Sequence, residues 1–175
     1  MKSIKLPFGA GRVIWTPDNG TAETLSSEVF ATRLIAERRN ANGDMVEYRD
    51  LGSGLVTTAG VNLLAADYTN ATATLKLSNY HDSGTGTTAA AIADTALQTP
   101  TGGARVAGTQ SNPVSGTYRT VATISYTSSL AITEWGLFTA TSAGTMWDHK
   151  VFAAINVSNG DSIQLTYSLV AVAGG

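Results

Sequence analysis

Alternation with a two-residue period is the feature that most constrains this chain, and it is clearest near the C-terminus. From Ser162 onward polar residues alternate with apolar ones, which are Ile163, Leu165, Tyr167 and Leu169. A strand with this period buries one face and exposes the other to water. Further β-rich segments cover residues 117–127, 130–139 and 146–157. Several strands joined without long helices predict a mainly β protein, an antiparallel β-sandwich of jelly-roll-like type.

Residues 28–50 are predicted to form a β-hairpin that precedes the sandwich domain of residues 51–175. Its strands flank Asn42-Gly43, a pair that favours a tight turn because both residues tolerate positive φ. The return strand is expected from Asp44 to Asp50.

One short helix is expected after the hairpin. Thr57 or Thr58 can cap its start, and its end is expected near Ala66. An apolar stripe at helical spacing would consist of Val61, Leu64 and Ala65. After the helix we expect a strand over residues 74–80. Residues 83–116 are expected to form a long Gly/Thr/Ala-rich connection with one helical turn within residues 89–97.

Residues 1–27 are predicted to be an extended, irregular N-terminal arm, because proline and glycine recur before any strand can lengthen. The arm nevertheless carries large apolar residues, which are costly to leave in water. It therefore either folds back on its own domain or lies on another subunit. The second alternative makes interface residues of five apolar side chains: Leu6, Phe8, Val13, Ile14 and Trp15.

Charge is sparse in this sequence. Charged residues make up 14% of the chain, with 11 basic and 13 acidic side chains, against roughly 25% in an average domain. A nucleic-acid-binding protein normally shows a concentrated basic face, so we expect no nucleic-acid partner. No apolar run reaches the length of a membrane span, so we expect no membrane partner. The weakly charged surface favours assembly, because interface cores are depleted in charge.

Few residues suggest chemistry. The chain has no cysteine, which excludes thiolate catalysis and cysteine-bound zinc. His81-Asp82 and Asp148-His149 are the two pairs that can be considered as metal ligands. Neighbours in a strand point to opposite faces, so at most one residue of each pair can reach a shared site. We therefore predict no metal and no cofactor.

Glu134 lies in the middle of an apolar strand, where it is either an acid with a raised pKa or a structural partner of Arg105 or Arg119. A glycosidase would need a second carboxylate across the site, and none stands at a suggestive strand position. No Gly-x-Ser-x-Gly motif marks a serine nucleophile. These observations predict a protein that is not an enzyme.

Three segments together resemble small structural proteins of tailed bacteriophages. The first is the Ser83–Ala90 stretch SGTGTTAA, which leads into Asp94-Thr95-Ala96-Leu97. The second is AITEWGLF, from Ala131 to Phe138, and the third is GTMWDHKVF, from Gly144 to Phe152. The resemblance covers about residues 52–172, and residues 1–51 lie outside it.

The resemblance implies a virion protein that is assembled in the host cytoplasm. The first hypothesis is a capsid decoration, or cement, protein that binds between major capsid protein subunits and forms a homotrimer. The second is a tail or fibre component with a receptor- or glycan-binding role, for which Tyr80 and Trp147 are candidate loop contacts. A cell-wall hydrolase is the third hypothesis.

Overall fold

The computed structural model describes residues 12–15, 23–26, 30–69 and 77–171, and these form twelve strands and one helix. In chain order the elements are β1 (Arg12–Trp15), β2 (Glu23–Ser26), β3 (Phe30–Arg39), β4 (Met45–Gly52), β5 (Leu55–Val56), α1 (Thr58–Asp67), β6 (Tyr80–Gly84), β7 (Val106–Ala107), β8 (Thr109–Ser111), β9 (Thr117–Ser125), β10 (Leu130–Phe138), β11 (Met146–Val157) and β12 (Ser162–Ala171). The prediction of a mainly β protein with one short helix is confirmed.

Two five-stranded antiparallel sheets pack face to face as a β-sandwich. The first has the order β5-β11-β10-β6-β7 and the second the order β4-β3-β12-β9-β8. The chain passes from the second sheet to the first between β9 and β10, and it returns between β11 and β12. Side chains from both inner faces form one core, whose largest fully buried members include Trp135, Trp147 and Tyr167.

Strand β10 is buried on both faces, from Ile132 to Phe138. Its inner side chains, Trp135 and Leu137, belong to the core between the sheets. Its outer face is covered by the loop after β6, and Phe138 packs there against Leu97. A register shift between Ile132 and Glu134 marks a β-bulge, which lets two successive residues share one face.

Helix α1 begins at Thr58 with Thr57 as its N-cap, as predicted. The Thr57 hydroxyl accepts a hydrogen bond from the Gly60 amide at 3.0 Å and donates one to the Met146 carbonyl at 2.6 Å. The predicted apolar stripe is only partly correct, because Leu64 packs on the core while Val61 is 51% exposed. Gly60 is instead the buried residue of the helix, and its missing side chain lets the helix approach the Trp147 backbone closely.

The predicted hairpin is present as β3 and β4, with a longer turn than expected. Gly43 takes a φ of 89°, whereas Asn42 does not have a positive φ. The side chain of Asn40 closes the turn, since its oxygen accepts hydrogen bonds from the amides of Asn42 and Asp44, both at 3.0 Å. Strand β3 pairs with β12 along its whole length, so this hairpin forms part of the second sheet.

Two expectations for the middle of the chain are corrected. Of the strand predicted over residues 74–80, residues 74–76 lie outside the described residues, residues 77–79 form a turn, and Tyr80 begins β6. Residues 83–116 contain the short strands β7 and β8, which have two and three residues and are too brief to show a period. Residues 89–97 hold a turn closed by Asp94, whose amide donates to the Ala91 carbonyl at 3.0 Å, and no helix.

The N-terminal region contains more regular structure than predicted. Strands β1 and β2 pair antiparallel with each other, with Val13 opposite Leu25 and Trp15 opposite Glu23. Among the described strands they pair with neither large sheet. Each of the two strands has four residues, so the glycines and prolines of this segment do not prevent local strand pairing. Leu6 and Phe8 lie outside the described residues.

Candidate functional site

The two histidine–aspartate pairs lie in the middle of strands, and the first sheet separates them by face. His81 and Asp148 both stand opposite Leu137 of β10, whereas Asp82 and His149 both stand opposite Gly136. One member of each pair thus shares a face, as strand geometry requires. On each face the two residues lie on opposite sides of β10, two strand spacings or about 10 Å apart along the backbone.

His81 is a fully buried member of the inner face. The Trp135 indole donates a hydrogen bond to His81 Nδ1 at 3.1 Å, so Nδ1 carries no hydrogen. The neutral ring then has its hydrogen on Nε2, which lies 3.2 Å from Thr120 Oγ1 in the other sheet. Burial lowers the pKa of His81 to about 3. The imidazole is therefore a neutral link between the two sheets.

Asp148 is the second buried polar residue of this inner face. Its Oδ2 accepts a hydrogen bond from the Tyr167 hydroxyl at 3.0 Å, and that hydroxyl accepts one from the Trp147 indole at 2.9 Å. Its Oδ1 has no hydrogen-bond partner among the described residues and faces the backbone of Gly54. Burial raises the pKa of Asp148 to about 7, although the Tyr167 hydroxyl opposes this shift.

Glu134 fastens the loop after β6 to the outer face of the first sheet. Its Oε1 accepts hydrogen bonds from the amides of Gly86 at 2.9 Å and Thr99 at 2.7 Å. Its Oε2 accepts one from the Gln98 amide, also at 2.9 Å. The predicted partners Arg105 and Arg119 are wrong, because Arg105 instead pairs with Asp82 at 3.6 Å. Glu134 serves here as an acceptor for backbone groups that the loop would otherwise leave unpaired.

His149 connects Glu134 to a second carboxylate that the sequence did not reveal. Its Nδ1 lies 2.7 Å from Asp94 Oδ2, and its Nε2 lies 3.3 Å from Glu134 Oε2. The ring thus contacts one carboxylate through each of its two nitrogens. Although burial opposes it, the Ala91 amide and the His149 ring hold the pKa of Asp94 below its ordinary value.

This carboxylate–imidazole–carboxylate arrangement is linear. The two carboxylates bind opposite edges of the ring, so their oxygens do not converge on one point where an ion could be held. Across residues 30–69 and 77–171, no group of three or more His, Asp or Glu side chains is arranged to bind a metal. Each of the polar side chains described above, on either face of the first sheet, forms at least one hydrogen bond with another side chain or with the backbone.

The predicted contact residues have different surroundings. Trp147 is 2% exposed in β11, so it is a core residue and not the loop contact that the sequence suggested. Tyr80 is half-buried at the start of β6 and packs beside Phe138 and Met146. Val13, Ile14 and Trp15 form β1, and their role as interface residues stays a prediction.

The outer face of the second sheet is partly exposed to solvent, and its centre is free of charged side chains. Its central strands present mostly small neutral residues on alternate positions: Val121, Thr123, Gln164, Thr166 and Ser168. Charged residues also stand on this outer face: Arg33 and Asp50 form a salt bridge of 2.6 Å, Glu37 and Arg39 form one of 3.5 Å, and Arg119 stands opposite Ser168. We call the patch formed by Val121, Thr123, Gln164, Thr166 and Ser168 the neutral face.

Comparisons with known proteins return no match: no family model, no curated protein and no solved structure is similar to this chain. No helix within the described ranges is both long and apolar enough to cross a membrane.

Proposed function

We propose that this protein is a structural component of a tailed-bacteriophage virion, and that it decorates the head by binding between major capsid protein subunits. The three segments SGTGTTAA, AITEWGLF and GTMWDHKVF suggest this class of protein. A decoration protein stabilises the shell because it binds only the closed arrangement of subunits. Its binding free energy is then added to the free energy needed to open the shell.

The neutral face is the observation that carries this proposal. A protein that docks on a lattice must remain soluble alone and then lose water from a broad surface. Small neutral side chains such as Thr123 and Thr166 lose water at lower cost than charged ones, and interface cores are depleted in charge for this reason. The sheet beneath the face is held rigidly by β12, which pairs with β3 and β9 along nearly its whole length.

The N-terminal region supports the same proposal. A two-stranded hairpin is only marginally stable in water by itself, and β1 and β2 pair with neither large sheet in the described part of the chain. We propose that residues 1–27 bind a neighbouring capsid or decoration subunit, where the β1–β2 pair adds strand or surface contacts. The homotrimer implied by the resemblance would place three such arms around a symmetry axis of the shell.

The buried polar clusters support a structural role over a catalytic one. Glu134 uses both oxygens on backbone amides, and His81 is held between Trp135 and Thr120. Groups committed in this way stabilise the loop and the sheet packing. We therefore propose a protein without enzymatic activity, which an assay on purified cell walls tests directly.

Binding to purified heads that lack the protein tests the proposal. Deleting residues 1–27 should weaken binding while circular dichroism still reports a folded β protein. On the neutral face, the pair Thr123→Lys and Thr166→Lys should also weaken it, whereas Thr141→Lys, in an exposed turn, should not. If the truncated chain and the double variant bind heads as tightly as the natural chain, head decoration is refuted.

Antibody labelling of intact virions separates the head from the tail. Label on the tail or fibres would support the alternative role in receptor or glycan binding. The described structure gives that alternative little support, because Trp135 and Trp147 are buried and cannot form an aromatic surface for a sugar.

A further inference from the structure

Strand β4 is an unusual sheet edge. The terminal strands of the two large sheets are β5, β7, β8 and β4, and the first three have two or three residues each. Because β5 pairs with β11 only at Asp148 and His149, the rest of β11 also has a free side among the described strands. Strand β4 has eight residues, and no strand in the described part of the chain pairs with its outer side. Natural proteins protect such edges by keeping them short or placing charges or proline on them.

Three large side chains of β4 are exposed at its edge: Met45 is 55% exposed, Val46 is 46% exposed and Tyr48 is 54% exposed. The three charged residues of β4 have partners within the same copy. Glu47 binds Arg49 at 2.5 Å, the Arg49 guanidinium donates to the Ala153 carbonyl at 2.8 Å, and Asp50 binds Arg33 at 2.6 Å. A long edge with exposed apolar side chains is a template for pairing with another strand.

The sequence of β4 is complementary to itself. When one copy is laid antiparallel on another with Tyr48 opposite Tyr48, Glu47 of each copy stands opposite Arg49 of the other. Directly opposed residues of unlike charge stabilise an antiparallel pair. The same register places Val46 opposite Asp50 and Met45 opposite Leu51, so no like charges are opposed.

We infer that β4 is a self-association edge, at which two copies of this chain pair antiparallel about a twofold axis next to Tyr48. The second sheets of the two copies then join into one continuous sheet. A twofold contact of this kind uses the same patch on both copies, which is what a self-complementary strand supplies. This inference does not depend on the proposed place in the virion, and it uses residues 45–52 and none of the first 27.

The absence of cysteine from the sequence makes single-cysteine variants of the full chain a direct test. Residues opposed in an antiparallel pair have Cα atoms about 4.5–5.5 Å apart, which is within the range for a disulfide. Tyr48→Cys should therefore form a disulfide-linked dimer under mild oxidation. The matched control is Tyr68→Cys, at a tyrosine that is 83% exposed at the end of α1.

We expect Tyr48→Cys to cross-link at least about tenfold faster than Tyr68→Cys, because pairing raises the local thiol concentration. A mixture of Val46→Cys and Asp50→Cys should give the mixed dimer, whereas Val46→Cys alone should not cross-link at that rate. Equal rates for Tyr48→Cys and Tyr68→Cys, or a mixture that gives no mixed dimer, would overturn the inference.

Sedimentation of the natural chain provides a second measurement that needs no cysteine. The natural chain should sediment with a larger mass than Tyr48→Lys, which cannot pair at β4 because two lysines would face each other. A natural chain that is monomeric, or a Tyr48→Lys variant that associates as before, would show that β4 is not the contact.

Discussion

Replacing Asp148 by asparagine should change how the stability of this protein depends on pH. Burial raises the pKa of Asp148 from its ordinary 3.8 to about 7. The native protein therefore keeps a proton on this carboxyl at pH values where the unfolded chain has lost it. The resulting stability is fully present below about pH 4, decreases as the pH rises, and is lost above about pH 7.

The size of this effect follows from the pKa shift. One pKa unit corresponds to about 1.4 kcal/mol, so the shift to about 7 allows a change of up to about 4 kcal/mol in the free energy of unfolding. Asparagine has the shape of the protonated carboxyl and does not titrate. The difference in stability between the natural chain and Asp148→Asn should therefore shrink or reverse by about this amount between pH 4 and pH 8.

His81 has the opposite effect on how the stability of the protein depends on pH. Burial lowers the pKa of His81 from 6.5 to about 3, so between these values the unfolded chain binds the extra proton and stability rises with pH. From about pH 4 to 6.5 the two residues nearly cancel in the natural chain. Asp148→Asn should reveal the rising contribution of His81, and His81→Asn should reveal the falling contribution of Asp148.

Urea unfolding, monitored by tryptophan fluorescence, measures how the stability of each variant changes with pH. Fluorescence reports on unfolding because Trp135 and Trp147 are buried in the native core. Each variant is unfolded at several pH values from 4 to 8 and compared with the natural chain. A stability difference between the natural chain and Asp148→Asn that stays constant across this range would refute the reasoning. It would mean that Asp148 is not held neutral in the folded protein.

Three further changes have definite expected results. The methyl group of Gly54→Ala would overlap the Asp148 carboxyl, so this variant should lower the unfolding free energy by about 2–3 kcal/mol. The control Gly103→Ala places its methyl group in open space and should change the unfolding free energy by no more than about 0.5 kcal/mol. Equal costs of the two variants in urea unfolding would contradict this. Glu134→Gln should weaken the attachment of the loop after β6 to the first sheet by about 2 kcal/mol. The amides of Gly86, Gln98 and Thr99 should then exchange their hydrogens faster than in the natural chain. Unchanged exchange at these amides would disprove the role given to Glu134. Trp147→Phe removes the hydrogen bond to Tyr167 and should lower the free energy of unfolding by about 1–3 kcal/mol, measured by thermal or urea unfolding. The control is Tyr68→Phe, at an exposed tyrosine, which should leave the stability unchanged. A Trp147→Phe protein as stable as the natural chain would argue against the place of Trp147 in the core.

The sequence predicted those parts of the fold in which one face of a helix or strand is buried and the other is exposed to solvent. Strand β12 is the best example, because Ile163, Leu165 and Tyr167 are buried while Gln164 and Thr166 between them are not. The strand predicted over residues 130–139 is present as β10, although both of its faces are covered and no two-residue period marks it. The apolar stripe predicted for α1 was only partly correct, because the helix packs through Gly60 and Leu64 while Val61 is exposed.

The polar clusters were beyond prediction because their members are far apart in the chain. Asp94 and His149 are separated by 55 residues, and no local pattern indicates that Asp94 meets the ring. Glu134 was recognised as an unusual carboxylate, but its actual partners are backbone amides, which carry no sequence signal. Thr120, which contacts His81 across the sandwich, looks like any other strand threonine.

The proposed head decoration is tested most directly by an electron cryomicroscopy map of the virion in which we propose that this chain is assembled. The account predicts density for a two-sheet sandwich on the outside of the head, with the neutral face against the major capsid protein and residues 1–27 reaching a neighbouring subunit. A map with this sandwich only on the tail or fibres, or with none on the particle, would contradict it.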